Sequence, residues 1–306
     1  MLRKLINSPF LYLRSLLSIR KAVELDDIGK MFNYFGRQFG WKLLRQKVRS
    51  GFSYLINPVS SFRYFEFPFV LSVLADNPGY CLDVSSPRLF SFYVAEKKHP
   101  SSIWMINPDQ EDMQLSAAIA RRLGVSSIKV DSFDVSILEG FRDFFDTIWS
   151  ISVIEHISGE YDDRYAVRKM YAALKPGGRL ILTVPVDRFD WDEYRDENYY
   201  SIQKEKEGLK GYFFQRHYDR AAIWERLVYA IGDEPSTVRW FGEKKAGHFS
   251  EYEKRWLREG NKVTVDDPVD FSENYREYSS WEGMPGRGVC GLVFEKPCED
   301  LVEYEN

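Results

Sequence analysis

Four histidines and a small set of serine, asparagine and aspartate side chains carry the chemistry available to this 306-residue chain. His156 bears an imidazole expected to titrate near neutral pH, as suits a group that accepts a proton from a reacting atom, and His217 could be a base or a substrate contact. Ser86 followed by Pro87 reads as a helix N-cap with proline at the first helical position. Such a start aims free backbone N–H groups and the positive end of a helix dipole at an anion, and Arg88 adds charge there. Asn107 and Asp109 follow an apolar run and offer hydrogen-bond acceptors, while Asp134 follows the next run. Plainer readings stand beside these: a structural histidine at a helix start for His156, a cap near Asp219 for His217, and a solvated loop carboxylate for Asp134.

These residues fall at the ends of strand-like segments. The patterning predicts strands over 80–84, 103–107, 127–131, 146–153, 179–184, 236–241 and 288–295, with helices at about 87–98, 110–123, 160–174 and 219–231. Strands alternating with helices imply a mostly parallel sheet with helices on both faces, and ligands bind at the carboxyl edge of such sheets. Residues 1–62 read as a helical extension: Asp26-Asp27 is a capping pair, and Ile28, Met31, Phe32, Phe35 and Phe39 follow at helical spacing. The sheet domain then spans 63–297, and 298–306 is an acidic tail. Insertions at about 187–218 and 243–287, dense in aromatic and charged residues, have the length of lids or binding loops. Phe189, Trp191, Tyr199 and Tyr200 suit either stacking on a ring or the core of the first insertion. Lys204–Glu207 reads as a solvated helix face.

In its order of elements, residues 80–184 resemble the class I S-adenosylmethionine-dependent methyltransferases, of the kind called methyltransferase type 11-like. The most specific stretches are Phe145-Asp-Thr-Ile-Trp-Ser-Ile-Ser-Val-Ile-Glu-His-Ile157 and Leu174-Lys-Pro-Gly-Gly-Arg-Leu-Ile-Leu-Thr-Val184. Similar Arg-x-x-Glu-aromatic-Pro stretches, here Arg63 to Pro68, precede the first strand in some bacterial members. The resemblance implies a seven-stranded Rossmann-like α/β sheet whose last strand is antiparallel, with S-adenosyl-L-methionine as cofactor. It implies that Asp83 opens the cofactor loop, and that the cofactor carboxylate is the anion at Ser86 and Arg88. Asn107 or Asp109 would accept from the ribose, and Asp134 from the adenine amino group, with Phe133 or Val135 flanking the ring. Ser150, Ile151 and Ser152 would lie beside the cofactor, His156 near the reacting centre and His217 near the substrate mouth. Ser85, Pro87 and Leu89 stand where the family carries glycines. Two activities stay open: methyl transfer to oxygen or nitrogen of a small-molecule or glycan-type acceptor, or a catalytically inactive methyltransferase fold serving as a binding or scaffold subunit.

Composition narrows the classes. A net charge of −4 argues against a general nucleic-acid partner. Cys81, Cys290 and Cys298 lack metal-ligand spacing and read as reduced thiols of a cytoplasmic protein. No Walker loop, zinc cluster, nucleophile elbow or nicotinamide fingerprint is present. No run approaches the roughly 20 apolar residues of a membrane span. Residues 1–22 are basic and leucine-rich, which suits either a peripheral contact with an anionic membrane or a helix packed on its own domain.

Overall fold

The computed structural model describes residues 8–22, 27–198 and 211–298; Asp26, Tyr199, Tyr200, the Lys204–Glu207 run and residues 299–306 of the tail lie outside the described residues. The expected extension comprises α1 (Ser8–Lys21), α2 (Asp27–Arg45) and α3 (Gly51–Ile56), and α4 (Arg63–Val73) leads to the sheet. Phe32, Phe35 and Phe39 of α2 are buried, as their spacing requires, and Met31 at the edge of that stripe is partly exposed. The alternation follows as β1 (Tyr80–Val84), α5 (Arg88–Lys97), β2 (Ser102–Ile106), α6 (Gln110–Leu123), β3 (Ile128–Asp131), β4 (Phe145–Ile151), α7 (Asp163–Ala173) and β5 (Leu174–Val186). β4 is shorter than the predicted 146–153 because Ser152 turns into the left-handed region at φ 47°, which no strand continues.

After β5 comes the first insertion, with β6 (Trp191–Arg195) and β7 (Tyr212–His217) paired as a separate two-stranded sheet. The helix expected at 219–231 starts as α8 (Arg220–Ile223), passes through a π-helical turn at Trp224–Val228 and ends as α9 (Tyr229–Ile231). β8 (Thr237–Glu243) precedes the second insertion, which holds α10 (His248–Glu259), a 3-10 segment at Gly260–Asp266, α11 (Asp267–Asn274) and β9 (Tyr275–Tyr278). β10 (Gly288–Glu295) returns to the centre of the sheet.

The main sheet has the order β3-β2-β1-β4-β5-β10-β8-β9. β1 to β5 run parallel, and β10 lies antiparallel between β5 and β8, as expected of the last strand. The sheet has eight strands rather than the seven expected. The addition is β9, which pairs Tyr278 with Trp240 and Tyr275 with Glu243 and so covers the open side of β8. Its four residues sit inside a charged, aromatic insertion whose sequence lacks the aliphatic run that signals a strand.

Each sheet face carries its own core. On one face, Cys81, Ile103, Met105, Trp149, Ile151 and Val289 pack under α2, α4, α5 and α6. On the other, Leu82, Ile148, Leu180, Leu182 and Leu292 pack under α7 and the 220–231 helix. The extension is therefore part of the domain core. It closes tightly on α5: a Cβ at Gly36 of α2 would stand 2.3 Å from Pro58 Cβ and 3.1 Å from Leu89 Cδ2. α4 approaches β10 as closely, since a Cβ at Gly291 would meet the Phe69 ring at 2.3 Å. The carboxyl ends of β1, β2, β3, β4, β5 and β8 face one edge, and both insertions emerge there, with Gly288 paired beside Val186. Among the described residues, no helix is long and apolar enough to cross a membrane.

Candidate functional site

The turn after β1 is organised around one buried carboxylate. Asp83 is fully buried; its Oδ1 accepts from the Ser86 N–H at 2.9 Å and its Oδ2 from the Ser91 hydroxyl. Burial pushes this carboxyl up to about 6, against the pull of those hydrogen bonds. Ser85 takes a left-handed conformation, φ 55°, which is ordinarily glycine territory. Its N–H and hydroxyl both donate to Ile106 O, at 2.8 and 3.1 Å, tying the turn to β2. Ser86 differs from its expected role. α5 begins at Arg88 with Pro87 in the capping position, and the Ser86 hydroxyl instead accepts from the Ile151 N–H of β4 at 3.0 Å. Arg88 forms an ion pair with Asp112 of α6, so its charge is already matched.

The three missing glycines thus have separate physical answers. Ser85 keeps the left-handed backbone that a glycine would supply. Pro87 suits a helix start. Leu89 is buried toward the extension, where Gly36 leaves it room.

The rim beyond β2 and β3 is open. Asn107 Oδ1 accepts from the Asp109 N–H at 2.9 Å, and the exposed Asp109 caps α6 by accepting from the Asp112 N–H at 3.0 Å. Asp134 is exposed as well. Its Oδ1 accepts from the N–H and the hydroxyl of Ser136, at 2.8 and 2.5 Å, capping a 3-10 turn. In each aspartate the second oxygen has no hydrogen-bond partner among the described residues. Phe133 beside Asp134 is 41% exposed, whereas Val135 is buried.

At the ends of β4 and β5 the side chains turn inward. Ser150 is buried and donates to Val84 O at 3.3 Å. Ser152 donates to Glu66, which also accepts from the Thr183 hydroxyl at 2.8 Å and pairs with Arg63. Glu66 is therefore more than the partner of Arg63; it fastens α4 to the site edge. Glu155 is buried beside it with Oε2 unpartnered among the described residues, and burial, reinforced by the neighbouring Glu66 charge, raises its carboxyl well above the usual range. His156 Nδ1 lies 2.6 Å from Phe214 O of β7, a carbonyl to which only a protonated nitrogen can bond. Burial depresses this imidazole to about 4, well below the near-neutral titration expected of it, so the ring is neutral at pH 7 and its acceptor nitrogen is Nε2.

His217 occupies a different setting. It ends β7, buried, with Nε2 at 3.2 Å from Glu193 Oε2 and 3.0 Å from Gln215 Nε2, and its ring stacks on Trp191 at 4.1 Å and 7°. Burial works to raise Glu193, but hydrogen bonds from His217, Arg195 and Gln215 outweigh it and hold the carboxylate at about 2. Asp219, not His217, caps the following helix, accepting from the Ala222 N–H at 2.8 Å. Arg287, over the same Trp191 ring, pairs with Asp187 and Glu253 and so joins the two insertions.

Asp163 was invisible to sequence reasoning. Wholly buried at the start of α7, it accepts from the Tyr218 hydroxyl and from Arg226 Nε, both at 2.8 Å, with Arg216 at 3.0 Å. It anchors the hairpin and the 220–231 helix to the sheet domain, through partners more than 50 residues away in the chain.

Residues 82–182 match a family model described as a methyltransferase domain. No curated protein matches the chain. Among solved structures it is similar to the (4+2)-cyclase SpnF at 17% identity, covering 76% of this chain and 80% of that one with a TM-score of 0.48. It is also similar to a putative sarcosine dimethylglycine methyltransferase from Galdieria sulphuraria, at 13% identity, 75% and 83% coverage and TM-score 0.46. A third is coclaurine N-methyltransferase bound to N-methylheliamine and SAH, at 15% identity, 75% and 70% coverage and TM-score 0.46. The family match and the strand order bear out the class I S-adenosylmethionine-dependent methyltransferase resemblance, with S-adenosylmethionine as the cofactor which that family uses.

Replacing Ser85 by glycine should remove the left-handed strain at the loss of one hydroxyl bond, raising stability by about 0.5–1 kcal/mol. A urea midpoint that moves down instead would mean that the bond to Ile106 outweighs the strain.

Proposed function

We propose that this chain transfers a methyl group from S-adenosyl-L-methionine to an oxygen or nitrogen of a small-molecule or glycan-type acceptor. One observation carries the reading: a left-handed turn at Ser85 flanked by the half-buried Asn107 and the exposed acceptors Asp109 and Asp134. The residues present fit the cofactor. The Ser85 and Ser86 hydroxyls are turned onto backbone groups of β2 and β4, and Asp109 and Asp134 each retain an oxygen for a nucleoside donor. Asn107 or Asp109 then holds the ribose, Asp134 the adenine amino group with Phe133 beside the ring, and the Ser85-Ser86-Pro87 turn the methionine end. Ser150 and Ser152 contribute by fixing the ends of β4.

The cofactor supplies an electrophilic methyl group carried on a sulfonium. What remains for the protein is to align the acceptor atom and take up a proton where one must leave. His156 takes the second task, with a basicity that burial lowers. Its Nδ1–H is held by Phe214 O, which makes Nε2, 3.8 Å from Glu155 Oε1, the acceptor of the neutral ring. The hairpin of β6 and β7 shields this side from water, and His217 serves by holding Trp191 in place. The buried free thiols of Cys81 and Cys290 suit a reducing cytoplasm.

α1 supports a peripheral membrane contact as well as internal packing. Ser15, Ser18 and Ile19 are buried against the domain, while Phe10, Leu13 and Leu17 are exposed on a helix that also carries Arg14, Arg20 and Lys21.

Calorimetry with S-adenosylmethionine should give a binding heat, weakened about tenfold or more by Asp134→Ala, the loss of one hydrogen bond to a charged group. A protein that shows neither heat nor thermal stabilisation at saturating cofactor would be an inactive scaffold on the same fold. With a panel of hydroxyl and amine acceptors, His156→Gln should slow S-adenosylhomocysteine release by about a hundredfold or more while cofactor binding holds. Equal release rates would remove His156 from proton transfer. The triple change Phe10→Gln, Leu13→Gln, Leu17→Gln should abolish sedimentation with anionic vesicles, and unchanged sedimentation would discard the membrane contact.

A further inference from the structure

Three carboxyl groups are buried within electrostatic reach of one another behind the end of β4, and one of them lacks a charge partner. Glu66 of α4 accepts from Ser152 and from the Thr183 hydroxyl at 2.8 Å, and pairs with Arg63. Asp163 of α7 accepts from Arg226 and from the Tyr218 hydroxyl, with Arg216 at 3.0 Å. Glu155, on the turn after β4, has no arginine, lysine or hydroxyl bonded to either oxygen among the described residues, and its Oε2 has no hydrogen-bond partner there. What faces Oε1 is the His156 ring, with Nε2 at 3.8 Å.

A buried carboxyl group ionises only where donors or an opposite charge compensate it. Glu66 and Asp163 have theirs. Arg63 also acts on Glu155 but is paired with Glu66, and the charges of Glu66 and Asp163 oppose a third ionisation. The Tyr218 phenol, which burial keeps protonated, adds no charge from the hairpin side. Burial therefore holds Glu155 well above the usual carboxylate range, and the group keeps its proton at pH 7. Beside it His156 is neutral too, depressed by burial and by the Arg63 and Arg195 charges against the weaker pull of Glu193. This resting pair is a poor base: the carboxyl is filled and the imidazole is weak. A cation bound at the carboxyl edge changes that, because a nearby opposite charge favours the ionised carboxylate. The acid cluster backs onto that edge through Ser152, which bonds to Glu66.

We propose that Glu155 is a positioning residue for proton transfer: it gives up its proton, through His156 Nε2, when the cationic cofactor binds, and its carboxylate then makes that nitrogen the base. The proposal rests on S-adenosyl-L-methionine being the cofactor, as inferred above. In methyl transfer the bond from carbon to the acceptor atom forms, and the bond from carbon to sulfur breaks with its electron pair left on sulfur. His156 Nε2 takes the acceptor's proton. With the neighbouring positive charge gone, Glu155 recovers that proton from Nε2, and both side chains return to their neutral forms. The one proton the reaction produces has thus left earlier, on cofactor binding. Glu155 does not meet the acceptor itself, since its side chain is 2% exposed against 19% for His156.

Calorimetric titration of the full-length protein in buffers of different ionisation enthalpy counts the protons released on binding. At about pH 7, Asp83, at about 6, is already mostly ionised and an α-amino group is still mostly protonated. S-adenosylmethionine should there release about one proton per site, as ionisation of a single carboxyl group requires. S-adenosylhomocysteine, which lacks the methyl group and the sulfonium charge, should release none. Glu155→Gln should bind S-adenosylmethionine without proton release. A variant that does not fold leaves the two ligands, compared in the native protein, to decide. Equal proton counts for the two ligands, or a count that Glu155→Gln leaves unchanged, would overturn the proposal while the cofactor reading stands. No binding heat from either ligand would overturn the cofactor reading and this proposal with it.

Discussion

The site depends on the turn that Asp83 holds. A carboxylate buried at the end of β1 is costly unless hydrogen bonds surround it, and those available are the Ser86 N–H and the Ser91 hydroxyl. Accepting from both pins the backbone between strand and helix and forces Ser85 into the left-handed region. From that single constraint follow the bridge of Ser86 to β4, the start of α5 at Arg88, and the open rim along β2 and β3. A glycine-rich loop would reach the same backbone with less strain but without the side-chain bridges to β2 and β4. The serines exchange freedom for cross-links.

A second constraint governs the acceptor side. The insertions are short of aliphatic residues and are held by buried charge instead. Asp163 gathers Tyr218, Arg216 and Arg226, while Arg287 joins Asp187 and Glu253. Breaking such a network by removing one partner strands the others in a low-dielectric interior, which makes it directional and well defined. The same network brings β7 against the 3-10 turn that carries His156, so the carbonyl of Phe214 sets which imidazole nitrogen carries the proton. The hairpin thereby fixes the tautomer of His156 as well as covering it.

The helical extension has a related double role. Phe32 of α2 packs with Phe67, Phe90 and Tyr93, and Leu89 fits beside Gly36, so α5 cannot be placed without it. The same extension leaves Phe10, Leu13 and Leu17 of α1 outward. One face belongs to the core and the other to whatever meets the surface.

Local patterning determined the βα alternation, the aromatic stripe of α2, the buried β4 and the positions of Asp83, Asn107, Asp109 and Asp134, because apolar periodicity and turn chemistry act between near neighbours in the chain. It also exposed the loss of three glycines. Only tertiary structure decided what replaced them: the φ of Ser85, the turning of Ser86 toward Ile151, and the room that Gly36 gives Leu89. It likewise decided that β9 joins the sheet, that His217 braces Trp191, and that Glu66, Glu155 and Asp163 are buried beside the site. Those outcomes rest on hydrogen bonds and charge pairs between residues tens to more than a hundred positions apart, and no local spacing encodes a contact at that range.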